Sequence, residues 1–236
     1  MSRGKKSNGR LFAVGDIHGC PDEVAAMLKA IKPQSGDTVV FAGDYVDRGP
    51  SARDVIEQLI ELPREGCECV FLKGNHEDMM LSFIGMPGHY GESFLMNGGA
   101  ITLESYGIGE AHLSQAIERL PKRHLEFYRN LAVSYLRPPY LFVHAGVMPA
   151  RQLDEQDVED LLWIRQEFIL SPHDLGNIVL FGHTPMREVM VDLPYKIGID
   201  TGLVYGGKLS CLELSEGTLY QISRGSRQVS ARRFKI

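Results

Sequence analysis

No apolar run in this sequence approaches the roughly 18 residues that cross a bilayer, so a membrane-spanning protein is not expected. The basic opening, Met1 to Arg10, is followed only by the short apolar run Leu11–Val14 before Gly15 and Asp16, which argues against a signal peptide. Cysteine is scarce. Cys20, Cys67, Cys69 and Cys211 are too few and too irregularly spaced for a disulfide framework, and they read as reduced thiols of a cytoplasmic protein. No repeat, low-complexity block or Pro/Gly/Ser-rich linker divides the chain. What is present is an ordinary globular mix, 44% hydrophobic and 23% charged. A length of 236 residues suffices for one sizeable core and is short for two.

The formal net charge of −5 is unevenly spread. Residues 1–10 carry four Lys or Arg and no acid, and residues 223–236 carry five and no acid, so all 30 acidic residues fall between them. The expected organisation is a basic arm over 1–9, one domain over 10–222 and a basic tail over 223–236, in a monomer. The arms read as solvated ends. An acidic body argues against nucleic acid as a partner, and no membrane partner is expected. Part of the acidic excess is available to ligate metal.

The first half alternates strand and helix signals. Leu11–Val14, Thr38–Ala42 and Cys69–Leu72 are short buried strands. Between them, Pro21–Ile31 places Val24, Met27, Leu28 and Ile31 at helical spacing, and Ser51–Leu62 opens on an N-cap candidate, Ser51. This β-α-β-α-β order predicts a parallel sheet. Residues 76–131 read as mostly helical. Strand candidates then crowd together at 140–143, 178–181, 189–191, 196–199, 209–214 and 219–222, which predicts a second, more antiparallel sheet packed on the first.

Five strand ends carry the same signature, a glycine beside polar residues. They are Gly15-Asp16-Ile17-His18-Gly19, Gly43-Asp44 running to Asp47-Arg48-Gly49, Gly74-Asn75-His76-Glu77, His144-Ala145-Gly146 and Gly182-His183-Thr184. Open α/β sheets place their sites at the carboxyl ends of strands, where such groups converge. A single Asp or His in this position is usually a turn or packing residue. Five together point to a metal site. His89, His112, His124 and His173 lack the setting and read as surface or packing residues. Asp, His and one Asn without Cys make a mixed O/N donor set that suits Mn²⁺, Fe²⁺ or Zn²⁺. Structural zinc sites usually use thiolates, so a catalytic site is the better reading.

In this order and spacing, from residue 15 to 184, the five motifs resemble the metal-dependent serine/threonine phosphoprotein phosphatases, within the calcineurin-like metallophosphoesterases. Leu162-Trp163-Ile164-Arg165 is similar to that family's later arginine motif. Met96 to Tyr106 and Ile199-Asp200-Thr201-Gly202 look like its small bacterial and phage branch. Ala145 departs from the usual His-Gly-Gly, and the long C-terminal aromatic loop of the eukaryotic enzymes is not recognisable.

The resemblance implies an α/β fold of two packed mixed sheets flanked by helices, an αββα sandwich. It also implies a centre of two divalent metal ions, Mn²⁺ first and Fe or Zn next. Asp16 and His18 would bind one ion, Asn75, His144 and His183 the other, and Asp44 both. A hydroxide bridging the ions would attack phosphorus directly. Arg48 and Arg165 would grip the phosphate, and His76, oriented by Asp47, would protonate the leaving group. Glu77 would start a helix or support the ligand shell. The activity so implied is hydrolysis of phosphoserine and phosphothreonine, with phosphotyrosine in reach, in phosphoprotein or phosphopeptide substrates. The alternative is hydrolysis of dinucleoside polyphosphates such as diadenosine tetraphosphate. A catalytically dead phosphate-binding scaffold would lack a ligand or the acid, and none is missing.

Overall fold

Alternation of apolar side chains decides which faces of the strands are covered. The computed structural model describes residues 9–235, so the basic arm expected over 1–9 lies, apart from Gly9, outside the described residues. Strand β1 (Leu11–Val14), helix α1 (Pro21–Ile31), strand β2 (Thr38–Phe41), helix α2 (Ala52–Glu61) and strand β3 (Glu68–Phe71) follow in the expected alternation. β1, β2 and β3 are parallel neighbours. Helix α1 has Pro21 in its first turn, where a missing N–H costs nothing. At α2 the Ser51 hydroxyl accepts from the Asp54 amide at 3.2 Å, the expected N-cap. Phe12, Val14, Val39 and Phe41 share a core with Val24, Met27, Val55 and Leu59 from these helices. Leu11, Ala13, Val40 and Ala42, one step out of phase, face a second core instead.

The middle of the chain is helical, as expected: α3 (Asn75–Phe83), α4 (Gly99–Ser105), α5 (Ala116–Arg119) and α6 (Lys122–Arg129), with short 3₁₀ turns between. There follow β4 (Ser134–Arg137), β5 (Tyr140–Val143), α7 (Val158–Trp163), α8 (Gln166–Ile169), β6 (Ile178–Phe181), β7 (Met190–Asp192), β8 (Lys196–Gly198), β9 (Lys208–Glu213), β10 (Thr218–Ser223) and β11 (Ser230–Arg233). One sheet has the order β11-β10-β9-β1-β2-β3 and the other β4-β5-β6-β8-β7. Phe142, Leu180 and Ile197 of the second sheet close the core between the sheets with Ala13 and Val40. The outer face of the second sheet, through Leu141, Val143, Val179 and Phe181, packs on Leu161 of α7 and Phe168 of α8. Helices, two mixed sheets and helices form the layers. Among the described residues no helix is long and apolar enough to cross a membrane.

Two expectations are corrected. The second sheet is not dominantly antiparallel, since β5, β6 and β8 run parallel. Strands β9 and β10 leave it to join the first sheet, β9 antiparallel to β1 with Ala13 opposite Leu212. There β9 covers the open edge of β1 and β10 pairs with β9, and Leu212 and Leu219 enter the core between the sheets. The segment 223–236 is also not a free arm along its length. Ser230–Arg233 extends the sheet beside β10. Arg224 and the amide of Gly225 donate to the buried Glu23 carboxylate of α1 at 2.6 and 2.7 Å.

The loop after β2 is held from below by α3. The Glu77 carboxylate, fully buried, accepts the amides of Asp44 and Gly74 on Oε2, both at 2.9 Å, and those of Tyr45 and Val46 on Oε1, at 2.7 and 3.1 Å. These four donors have no strand to pair with, and a buried donor left unpaired costs about 1–3 kcal/mol. Gly74 makes the approach possible: a Cβ there would lie 2.1 Å from Asp44 Oδ1.

Glu77→Ala is therefore expected to destabilise the chelated protein by at least about 3 kcal/mol in denaturant unfolding. Glu77→Gln keeps one oxygen but sets an amide NH₂ against two donors, and should fall in between. Unchanged midpoints in both variants would show that the loop does not need the clamp. A second expectation concerns acid. Burial alone would raise Glu23, but the Gly225 amide and the Arg224 guanidinium outweigh it and hold its pKa below the ordinary 4.5. The stabilisation is then fully present above that value and is lost as the pH falls through the depressed folded value. Wild type should out-melt Glu23→Gln at pH 7, and the gap in Tm should close as the pH falls below 4.5. A gap independent of pH would count against this linkage.

Candidate active site

Six parallel strands deliver residues to one rim. Asp16 and His18 follow β1, Asp44 follows β2, Asn75 and His76 follow β3, His144 follows β5, His183 follows β6 and Asp200 follows β8. The two sheets meet here: the His144 ring donates from Nδ1 to the Ala42 carbonyl of the opposite sheet at 2.7 Å. The loops cross-brace through backbone bonds, with the amides of Ile17 and His18 both donating to the Asp44 carbonyl at 3.1 and 2.8 Å. His18, Asp44, Asp47, Arg48 and His183 all adopt left-handed backbone, with φ of 46°, 54°, 70°, 68° and 62°. Such strain in non-glycine residues persists only where surrounding structure enforces it, and it gathers at functional sites.

All ten residues singled out from the sequence come together. His18, Asp44, Arg48, Asn75, His76, Arg165 and His183 line a recess of about 140 Å³, along with Asp200 and Tyr205. Asp16 lies behind them and accepts the His183 amide at 3.0 Å. Asp47 lies behind His76. The remaining histidines sit elsewhere: His89 on Asp78, His124 between Tyr106 and Glu57, and His173 on the Tyr195 carbonyl.

The donor set fits a pair of cations. His144 must carry its proton on Nδ1, because a carbonyl can only accept. Burial, opposed by Asp44, lowers the pKa of this ring and keeps it neutral. Its Nε2 lone pair then faces two more acceptors, Asn75 Oδ1 at 3.0 Å and Asp44 Oδ1 at 3.4 Å. His18 repeats the arrangement. Its Nδ1 donates to the Val46 carbonyl at 2.9 Å, burial lowers it to about 3, and its Nε2 lies 3.5 Å from the other Asp44 oxygen, Oδ2. Asp44 thus shows one oxygen to each imidazole; on the His144 side lone pair faces lone pair, while on the other His18 Nε2 also accepts from Arg48 Nη1 at 3.1 Å. Two groupings of ligand atoms lie within 4.8 Å of one another: Asp44, His144 and His183 in one, His18, Asp44 and His76 in the other. His76 is already engaged through Nδ1 by Asp47, at 2.5 Å.

Charge tells the same story. Asp16, Asp44, Glu77 and Asp200 are four buried carboxylates within mutual influence. Burial, then Asp200 and Asp44, drive Asp16 well above the carboxylate range. Burial and Asp44 push Glu77 up to about 8, against the pull of its amides. Burial raises Asp200 to about 6. Arg48 and Arg165 are the cationic side chains in the recess, so the cluster is short of positive charge that divalent cations would supply. The sequence reading names Asp200 only within the Ile199–Gly202 motif and not as a residue of the site. The signal was there, since Ile199-Asp200-Thr201-Gly202 is a sixth strand end with a carboxylate and a glycine.

The outer wall carries the polar groups. Asp47 also accepts the Thr102 hydroxyl at 2.7 Å, which locks it against His76. Burial lowers His76 to about 4 and raises Asp47, so neither ionises freely alone. Arg48 Nη1 lies 3.1 Å from His18 Nε2, and the exposed Tyr205 ring sits 5.4 Å from its guanidinium carbon. Arg165 is exposed and lies at the junction of α7 and α8, where Nη1 donates to the His183 carbonyl at 3.2 Å.

With this geometry in hand, comparison with known proteins is informative. The asymmetrical bis(5'-nucleosyl)-tetraphosphatase of Oceanobacillus iheyensis is 25% identical over 93% of this chain and 93% of its own. The symmetrical bis(5'-nucleosyl)-tetraphosphatase of a Janthinobacterium species is 23% identical over 89% of this chain and 95% of its own. The crystal structure of a protein named as a putative diadenosine tetraphosphatase superposes with a TM-score of 0.69, at 24% identity over 93% of this chain and 95% of that one, and shows the shared fold. These relatives correct the expected activity and partners. They are named for dinucleoside tetraphosphates and not for phosphoserine or phosphothreonine in phosphoproteins, which overturns the first reading and favours the alternative. The Calcineurin-like phosphoesterase family model matches residues 9–212, and the chain belongs to that family of divalent-metal hydrolases.

Proposed function

We propose that this protein hydrolyses bis(5'-nucleosyl) tetraphosphates, such as diadenosine tetraphosphate, at a pair of divalent cations, with Mn²⁺ the best match to the O/N donor set. The observation that carries the reading is Asp44, whose two oxygens face His144 on one side and His18 on the other. The relatives' names supply the substrate class. Asp16 and His18 would hold one cation, Asn75, His144 and His183 the other, and Asp44 would share both. When bound, the ions supply Lewis acidity and make water a usable nucleophile at neutral pH.

The chain's own residues supply the rest. Arg48 and Arg165 reach the recess from two separate segments and bind non-bridging phosphate oxygens, offering forked donors to a chain of negative charge. As water adds to one phosphorus, the bridging P–O bond breaks and its electrons go to the departing nucleotide. In its protonated form, held by the Asp47 carboxylate, His76 gives its Nε2 proton to that oxygen and is recharged by the proton that the attacking water releases, while Asp47 and Thr102 fix the ring through Nδ1. Glu77 and Asp200 hold the loops: Asp200 accepts the Gly202 amide at 2.9 Å.

Chelated, dialysed protein should be inactive on diadenosine tetraphosphate and regain activity with Mn²⁺ above Mg²⁺ and Ca²⁺. The nucleotide products, separated by chromatography, report which anhydride is cut. Dephosphorylation of a phosphoserine peptide with no turnover of diadenosine tetraphosphate would sink the substrate reading. Full activity in excess chelator would sink the metal reading.

A phosphate leaving group is a weaker base than an alkoxide and needs less help from an acid. General acids contribute typically 10²–10⁴-fold. His76→Asn is therefore expected to lose activity at about the low end of that range on diadenosine tetraphosphate and more on phenyl phosphate, with metal content unchanged. Equal losses on both substrates, or metal lost from the variant, would assign His76 to something other than proton transfer.

A further inference from the structure

Beside the metal recess lies a second one that the hydrolysis chemistry leaves unused. It measures about 240 Å³ and is lined by Tyr90, Ser93, Asn97, Glu159 and Trp163. That is smaller than the roughly 300–1,000 Å³ of a site enclosing a whole drug-sized ligand, and is the scale of one ring system. The Tyr90 and Trp163 rings meet as a corner, their centroids 5.0 Å apart and their planes at 77°. Tyr90 is 42% exposed and is held in left-handed backbone, φ 56°. The hold comes from its neighbour: the amide and Nδ1 of His89 both bond the buried Asp78 Oδ2, at 3.0 and 2.8 Å. The Tyr90 hydroxyl donates to Glu159. Trp163 Nε1 is buried and has no hydrogen-bond partner, an uncommon cost for a residue that serves packing alone.

This corner abuts the phosphate-binding wall on two sides. The Trp163 ring lies 6.4 Å from the His183 ring, and Arg165 is two residues further along the chain. Asn97 precedes Gly98, whose carbonyl accepts the Arg48 amide at 3.5 Å. Asn97 Nδ2 donates to the Ser93 carbonyl at 2.9 Å, which leaves its Oδ1 as an acceptor. Aromatic faces, a fixed amide oxygen and a carboxylate are what an amino-bearing nucleobase needs: rings to stack on and acceptors for its exocyclic N–H groups.

We infer that this recess is the base subsite, in which the adenine of the nucleoside whose phosphate chain lies on Arg48 and Arg165 stacks on Tyr90 and meets the Trp163 ring edge to face. The inference rests on the dinucleoside tetraphosphate reading and adds to it the residues that recognise the base. It assigns Tyr90 and Trp163 to specificity and leaves the chemical step to the metal recess.

The test uses the one tryptophan of the chain as its own probe. Metal-loaded wild-type protein is titrated with AMP and, separately, with ribose 5-phosphate, which lacks the base. Saturable quenching of Trp163 emission by AMP and none by ribose 5-phosphate is the expected result. Base stacking corresponds to about a 5–100-fold effect per base, so Tyr90→Leu should weaken AMP by that factor. It should also lower the ratio of kcat/KM on diadenosine tetraphosphate to that on p-nitrophenyl phosphate by a similar one. No quenching by AMP, or equal quenching by both ligands, overturns the subsite even if diadenosine tetraphosphate is turned over. Quenching by AMP alone upholds it even if that substrate is not cleaved, in which case the hydrolase reading is what fails.

Discussion

Four backbone amides converge on the Glu77 carboxylate, and the geometry around Asp44 follows from that convergence. The chain leaves β2 at the point where sheet bonding ends, and its next amides need acceptors. Glu77, in the first turn of α3, provides them and thereby ties the loop after β2 to the loop after β3. The tie fixes Asp44 with φ at 54° and carries the loop on to Asp47 and Arg48, which share that unusual conformation. Left-handed backbone costs a non-glycine residue of order 1–3 kcal/mol, and four buried hydrogen bonds are of the size to hold it. In return, side chains from one loop point in three directions: Asp44 between the two imidazole pairs, Asp47 behind His76, and Arg48 into the recess.

The same arrangement concentrates carboxylates whose negative charge bound cations would neutralise. Glu77 brings a fourth carboxylate into a cluster with Asp16, Asp44 and Asp200, and the pKa values of Asp16, Glu77 and Asp200 all rise. Asp44 moves the other way: burial would raise it, but His144, His76, His18 and His183 outweigh burial and hold it low. Asp44 is thus the carboxylate that the four histidines of the site surround. A site that were merely structural would pair these acids with lysine or arginine. Here Arg48 and Arg165 stand at the mouth, where a polyphosphate would arrive, and the interior is left to cations from solution.

Much of this was legible in the sequence because it is local. The alternation of Leu11 to Val14, Pro21 at a helix start and Ser51 as a cap each act within a few residues, and the structure repeats them. The strand-end motifs were legible because the turn out of a parallel strand needs its glycine and polar residue side by side. Asp200 obeys the same rule, but β8 is only three residues long and ends on Gly198, so the apolar run before it is weak. The return of β9 and β10 to the first sheet was not legible. A run such as Leu209 to Leu214 shows that a strand exists and not which edge it covers, and that choice depends on β1 being left open on one side.

Substrate identity was hidden for a different reason. The motifs encode a pair of cations and a phosphate grip, and phosphorus presents the same oxygens whether it is bound to serine or to another phosphate. Nothing in Asp16, Asp44 or Asn75 has to change between the two reactions. On the base-subsite proposal discrimination falls to the walls, where Tyr90 and Asn97, from the turns between α3 and α4, meet Trp163 of α7 far along the chain. Trp163 shows the point most directly. In the sequence it is a neighbour of Arg165 within an arginine motif, but in the fold its ring also meets Tyr90, with centroids 5.0 Å apart, as well as lying 6.4 Å from the His183 ring. The motifs at the strand ends therefore carry the metal chemistry within a few residues each, whereas a wall built from the turns after α3 and from α7 exists only in the folded chain.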